Sequence, residues 1–146
     1  MISDTHGLLR PEALAFLAGS DHIVHGGDIC DPAILAALAR IAPVTAVRGN
    51  NDHGAWADRL RETELVEVGA IWLYALHDRA RLDIDPVAAG VRVVVSGHSH
   101  RPSVEDCEGV LYVNPGSAGP RRFSLPISVG ELTIAAGVVA ARTVQL

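Results

Sequence analysis

One local pattern constrains this 146-residue chain more than any other: apolar runs end on Asp, Asn or His, usually beside glycine. It recurs at Asp4-Thr5-His6-Gly7, Gly26-Gly27-Asp28, Gly49-Asn50, His77 and Gly97-His98-Ser99-His100. The anchors Asp4, Asp28, Asn50, His77 and His98 follow one another at 24, 22, 27 and 21 residues. Each interval has room for a strand, a crossover and a return to the same sheet edge. Carboxylate and imidazole groups are thereby delivered repeatedly to one edge, where open α/β folds bind their ligands. The neighbouring glycines allow sharp turns and close approach of the backbone to an ion or phosphate.

The segments between these anchors read as alternating elements. Pro11–Ala18 is predicted to be a helix, with proline in its first turn and Gly19 past its end. A brief strand covers 22–25, a helix follows Asp31-Pro32 to about Arg40, and a strand covers Val44–Val47. A weak helix is expected over Ala55–Arg61, and hairpin strands at Leu65–Val68 and Ile71–Leu76. Asp85-Pro86 should start another short helix, and Val91–Val95 is an apolar run suited to a buried strand. Beyond residue 100, strands alternate with turns. The order is βαβαβ and then mostly β, which predicts mixed sheets with helices outside, in one domain spanning residues 1–146.

Composition removes several classes of function. All 12 basic residues are Arg, so Schiff-base and P-loop lysine chemistry is excluded. The formal net charge of -5 speaks against general nucleic-acid binding and against anionic membranes. No apolar run approaches the roughly 20 residues that span a bilayer. Cys30 and Cys107 lack metal-binding spacing and read as reduced thiols, which predicts a cytoplasmic protein.

Taken singly, the pieces of the recurring pattern are ambiguous. Gly-Gly-Asp and Gly-Asn-Asn-Asp are ordinary turns, and His77 alone reads as a structural histidine. Gly97-His98-Ser99-His100 is more specific, because two histidines at i and i+2 after a buried strand seldom serve packing. His22 and His25 read as structural, Cys30 as a packed thiol and Trp56 as core. Together, Ile2-Ser3-Asp4-Thr5-His6-Gly7, Gly26-Gly27-Asp28, Gly49-Asn50-x-Asp52, His77, Gly97-His98-Ser99-His100 and Asn114-Pro115-Gly116-Ser117 resemble the calcineurin-like metallophosphoesterases. The small YfcE-like phosphodiesterase branch is the most similar part of that superfamily.

The resemblance implies a four-layer α/β/β/α sandwich of two mixed sheets with a two-metal site at one edge. It implies that Asp4, His6 and His100 hold one divalent ion. Asn50, His77 and His98 would hold the other, and Asp28 would be shared by both. Oxygen and imidazole donors without thiolate suit Mn first, with Zn, Fe, Ni or Co as further candidates. The implied reaction is attack of a metal-bridging hydroxide on a phosphodiester or an activated phosphomonoester. A small phosphate ester is the expected partner, and a homo-oligomer is compatible with the sequence.

Three features depart from the family pattern. Asn51 stands where many relatives carry a histidine that protonates the leaving oxygen with help from the following acid, here Asp52. An amide cannot deliver that proton, so a preference for good leaving groups is expected; His53 could serve only by a shift in register. Asp78 follows His77 where relatives often have glycine. Met1-Ile2-Ser3 is short for a first strand, which predicts that this strand is truncated and that the natural chain starts upstream. Arg48 beside the Asn50 loop is the expected phosphate clamp. The alternative reading is a scaffold of the same fold with weak or no catalysis, as in the retromer subunit.

Overall fold

A computed structural model describes residues 1–146. Helices α1 (Pro11–Leu17) and α2 (Pro32–Leu38) both carry proline in the first turn, and Asp31 caps α2 by accepting from the Ala33 N–H. Between and after them run the parallel strands β1 (Ile23–His25) and β2 (Val44–Ala46). A mixed five-stranded sheet follows, in the order β3-β4-β5-β7-β6. Its strands are β3 (Thr63–Val68), β4 (Ile71–Leu76), β5 (Val91–Val95), β6 (Ser103–Cys107) and β7 (Val110–Asn114). The long hairpin β8 (Ser128–Ala135) and β9 (Val138–Gln145) closes the chain.

Residues 1 and 2 join β1 and β8 into one layer. Ile2 bonds Val24 and Gly26 of the β1 side, and Met1 exchanges backbone bonds with Gly130 of β8. The short first strand expected from Met1-Ile2-Ser3 is reduced to this isolated bridge.

Period-two alternation sorts the apolar side chains between two cores. Ile23 and Val129 pack with Leu17, Ile34 and Leu38 under the helices. Val24 faces the other way and packs with Leu73, Val93, Val95 and Val113 between the two sheets. On the outer face of the five-stranded sheet, Tyr74, Val91 and Val94 pack beside Tyr112 of the same sheet and against Leu82 and Ile84 from outside it.

That outer layer differs from expectation. No α-helix follows Asp85-Pro86. Asp85 caps Val87 and Ala88, but Gly90 turns the chain at φ +71° after a single turn and sends it into β5. The helical element on this face is a 3₁₀ turn at Arg79–Arg81, which the sequence reading missed; the weak helix near residue 57 is likewise one 3₁₀ turn, Ala57–Arg59. The layers are therefore helices, sheet, sheet and a short irregular cover.

Candidate metal centre

Every anchor residue lies at the C-terminal end of a strand or of the Met1–Ile2 bridge. Asp4 and His6 follow Ile2, Asp28 follows β1, Asn50 follows β2, His77 follows β4, and His98 and His100 follow β5. The two sheets thus contribute jointly to one cluster. Asp4, His6, Asp28, His98 and His100 all adopt φ between 45° and 63°, a conformation costly for residues with a Cβ. Two glycines allow the loops to close on each other. A Cβ on Gly49 would collide with the backbone N and Oδ1 of Asp28, and one on Gly97 with Ser3 Oγ and Asp4 Oδ2.

The cluster has two halves. In the first, His100 Nε2 lies 3.2 Å and His6 Nε2 3.9 Å from Asp4 Oδ1, and the two imidazole nitrogens are 3.3 Å apart. Asp4 is fully buried. Its Oδ2 accepts from Ser3 Oγ and from the His98 N–H, whereas Oδ1 makes no hydrogen bond. In the second half, Asn50 Oδ1 lies 3.0 Å from His77 Nε2 and 3.1 Å from His98 Nδ1. Asp28 Oδ2 stands between the halves, 3.7 Å from His6 Nε2 and 3.4 Å from His77 Nε2.

The second half exposes a conflict that calls for a cation. His77 Nδ1 lies 2.7 Å from the Gly26 carbonyl, which can only accept, so Nδ1 carries the proton. In the neutral ring, Nε2 then points a lone pair at two further acceptors, Asn50 Oδ1 and Asp28 Oδ2. Without a metal, a second proton on Nε2 relieves the conflict: burial pushes the His77 pKa down, but the bonds to Asp28 and Gly26 raise it above the ordinary value. Burial likewise pushes Asp28 up, yet bonds from His77 and Asn51 hold its carboxyl far below the carboxylate range. Burial lowers His6. Asp4-His6-His100 and Asp4-Asp28-His77 each bring three ligand atoms within 4.8 Å of one another.

The remaining expected residues fall into distinct places. Asn51 faces Asp28: its N–H donates to Oδ1 at 2.8 Å and its Nδ2 to Oδ2 at 2.6 Å. Asp52 is buried and turned away from the cluster. Its Oδ1 accepts from the Ile29 and Cys30 N–H groups and its Oδ2 from Gly49, so it ties the Asp28 loop to the Asn50 loop. Arg48 is paired with Glu62 at 2.8 Å and Asp58 at 3.6 Å. These residues, with His53, Asp78 and Arg81, line a cleft of about 740 Å³ that opens onto Asn50, His77 and His98. Asp78 also caps the 3₁₀ turn through the Ala80 N–H.

His25 is fully buried, and burial lowers its pKa to about 3. It accepts from the Gly27 N–H and lies 3.1 Å from Thr5 Oγ1, bracing the Asp4 loop as a structural histidine. Trp56 packs under the helices as expected. Cys30 is exposed rather than packed, with Sγ 3.7 Å from His6 Nδ1, because its φ of +63° turns it outward from the Asp28 loop.

Sequence reasoning singled out Asn114-Pro115-Gly116-Ser117 but not its supporting role. Asn114 Nδ2 donates to the Gly97 carbonyl and Ser99 Oγ, and Ser117 Oγ donates to the Asp4 carbonyl, so the turn at 114–117 buttresses both histidine and aspartate loops. It also missed Arg122, whose Nη2 is 3.3 Å from His6 Nε2. No spacing relates Arg122 to the other motifs.

Comparison with known proteins agrees with this geometry. The calcineurin-like phosphoesterase superfamily domain matches residues 1–137, and the chain belongs to that superfamily. It is a phosphoric ester hydrolase, of a family that works with divalent metal ions. A probable metallophosphoesterase of Methanocaldococcus jannaschii is 36% identical over 147 residues, covering 92% of this chain and 74% of that protein. The solved structure of a novel archaeal phosphodiesterase superposes with a TM-score of 0.80 at 20% identity, covering 98% and 97% of the two chains. Zn²⁺-complexed Vps29 from Entamoeba histolytica superposes at 0.73 and 23% identity, over 99% and 96%. These two structures share the fold.

Proposed function

We propose that this chain is a binuclear metallophosphoesterase that hydrolyses phosphodiesters or activated phosphomonoesters. The observation that carries the reading is the convergence of His77 Nε2, Asn50 Oδ1 and Asp28 Oδ2, three acceptors with no donor among them when the His77 ring is neutral and its one proton, on Nδ1, faces Gly26. A divalent cation resolves that repulsion. The unbonded Asp4 Oδ1 facing two imidazole nitrogens supports a second cation in the same way. The residues present therefore fit two ions: Asp4, His6 and His100 would hold one, Asn50, His77 and His98 the other, with Asp28 shared. When bound, such ions supply Lewis acidity toward phosphate oxygens and acidify water near neutral pH. Donors of this kind suit Mn, Zn, Fe, Ni or Co, with Mn the first choice.

The protein's own residues prepare the site. Gly26 orients the His77 ring; Ser3 and the His98 N–H hold one Asp4 oxygen and leave the other free. Asn51 holds both oxygens of Asp28, and Asp52 locks the two loops in register. The reading takes residues 1–146 as one catalytic domain. It also takes the protein as cytoplasmic, in keeping with two free cysteines.

The test is a metal-content measurement with an activity screen over phosphomono- and phosphodiesters in added Mn²⁺. The wild type should hold close to two ions per chain and hydrolyse an aryl diester. Asp28→Ala should lose metal and at least about a thousandfold in rate. A wild type that takes up no transition metal and hydrolyses none of the esters sinks the reading.

A further inference from the structure

The loop between Ser117 and β8 carries a guanidinium that the metal cluster does not explain. Gly119, at the base of this loop, lies against the Asp4 and Thr5 backbone so closely that a Cβ would collide with both carbonyl oxygens. Arg10 fastens it there, donating from Nε and Nη2 to the Gly119 carbonyl at 3.3 and 3.2 Å. The loop is thus anchored to the segment bearing Asp4 and His6. From that anchor Arg122 reaches back, placing Nη2 3.3 Å from His6 Nε2.

Arg122 is exposed beside the cluster, with its guanidinium open to a ligand. Both acids nearest His6, Asp4 and Asp28, are directed to imidazoles, and none of the Arg–carboxylate pairs within 4.0 Å involves Arg122. Arg48, in contrast, is committed to Glu62 and Asp58. A divalent ion held by His6 Nε2 would take the lone pair that Arg122 meets and would repel the guanidinium, leaving its N–H groups without a partner. A phosphoryl group bearing non-bridging oxygens reverses it, and the planar guanidinium fork matches two of those oxygens.

We infer that Arg122 binds the non-bridging oxygens of the substrate's phosphoryl group and so sets phosphate affinity from the His6 side of the site. The inference rests on the phosphoesterase reading above. Arg121 sits next to it in the chain but turns to the Leu125 carbonyl, and it serves as an internal control for loop charge.

The experiment uses metal-loaded wild type, Arg122→Ala, Arg122→Lys and Arg121→Ala. Inorganic phosphate is titrated by calorimetry, kcat/KM is measured on an aryl diester, and metal content is determined for each protein. Arg122→Ala should weaken phosphate binding about ten- to a hundredfold and lower kcat/KM by a similar factor, with metal content unchanged. Arg122→Lys, which keeps charge without the fork, should recover part of the loss, and Arg121→Ala should stay within about twofold of wild type. Phosphate affinity of Arg122→Ala within about twofold of wild type overturns the inference. So does an equal loss in Arg121→Ala, or loss of metal in Arg122→Ala. If the wild type neither holds metal nor hydrolyses an ester, the phosphoesterase reading falls and this inference with it. An active wild type with an indifferent Arg122→Ala removes only the assignment of Arg122.

Discussion

Asn51 carries two opposed consequences in one side chain. Its Nδ2 donates to Asp28 Oδ2, so it steadies the carboxylate at the centre of the cluster. The same amide has no proton to transfer to a departing alkoxide. An aryl leaving group needs little protonation and an alkyl one needs much, so aryl diesters should be hydrolysed at least about a hundredfold faster. Asn51→His keeps the backbone bond to Asp28 Oδ1 and restores an acid at this position. The expected result is that the aryl-to-alkyl rate ratio narrows by about tenfold or more. Steady-state rates on the two substrates decide it, and an unchanged ratio refutes the argument. At this scale the sequence was legible for residue type and silent about orientation. A carboxylate that follows a Gly-Asn-Asn run is visible in the chain; that Asp52 turns inward to three backbone N–H groups is a property of two loops meeting, which spacing alone does not encode.

At the scale of the element, short strands matter less for what they pair with than for where they stop. β1 and β2 have three residues each, yet the loops that follow them bring Gly49 and Asn51 against Asp28. Gly49 is the point of contact. Gly49→Ala would force the new methyl group into the Asp28 backbone and carboxylate. The cost should be about 2 kcal/mol or more of stability, with metal affinity reduced, because the Asp28 loop must move. Urea unfolding and metal titration measure the two effects, and wild-type values in both would refute this account. The strands were legible because each pairs a short apolar run with a turn signal. The supposed helix after Asp85 was not, because a capping aspartate and a proline begin a single turn as readily as a helix. The length available before Gly90 decides between them.

For the whole molecule, the two sheets meet at a cluster in which like partial charges face each other. The formal charge is -5, and the anions concentrated in the centre help to make it so. Cations that bind only the folded chain stabilise it by mass action. At a free metal concentration about a hundredfold above Kd, the gain is about 2.7 kcal/mol, or on the order of 8 °C in Tm. Differential scanning calorimetry with Mn²⁺ against EDTA tests this, and coincident transitions would refute it. The membership of the superfamily was readable from the ordered anchors, since their order along the chain survives folding. The cleft and the loop bearing Arg122 were not: the cleft is walled by separate segments between Arg48 and His98, and the loop meets residues more than a hundred positions away.

The left-handed backbone at His98 has a consequence for the protein's history. A histidine held at φ +63° and exposed to solvent costs about 1 kcal/mol against glycine at the same place. A library selected for thermal resistance in the presence of a chelator, where no metal rewards the imidazoles, should therefore drift to glycine there, and at His6 as well. The same library selected for turnover should keep both imidazoles. The two selections pull one codon in opposite directions, so the residue found at position 98 in an evolving lineage reports which pressure has prevailed.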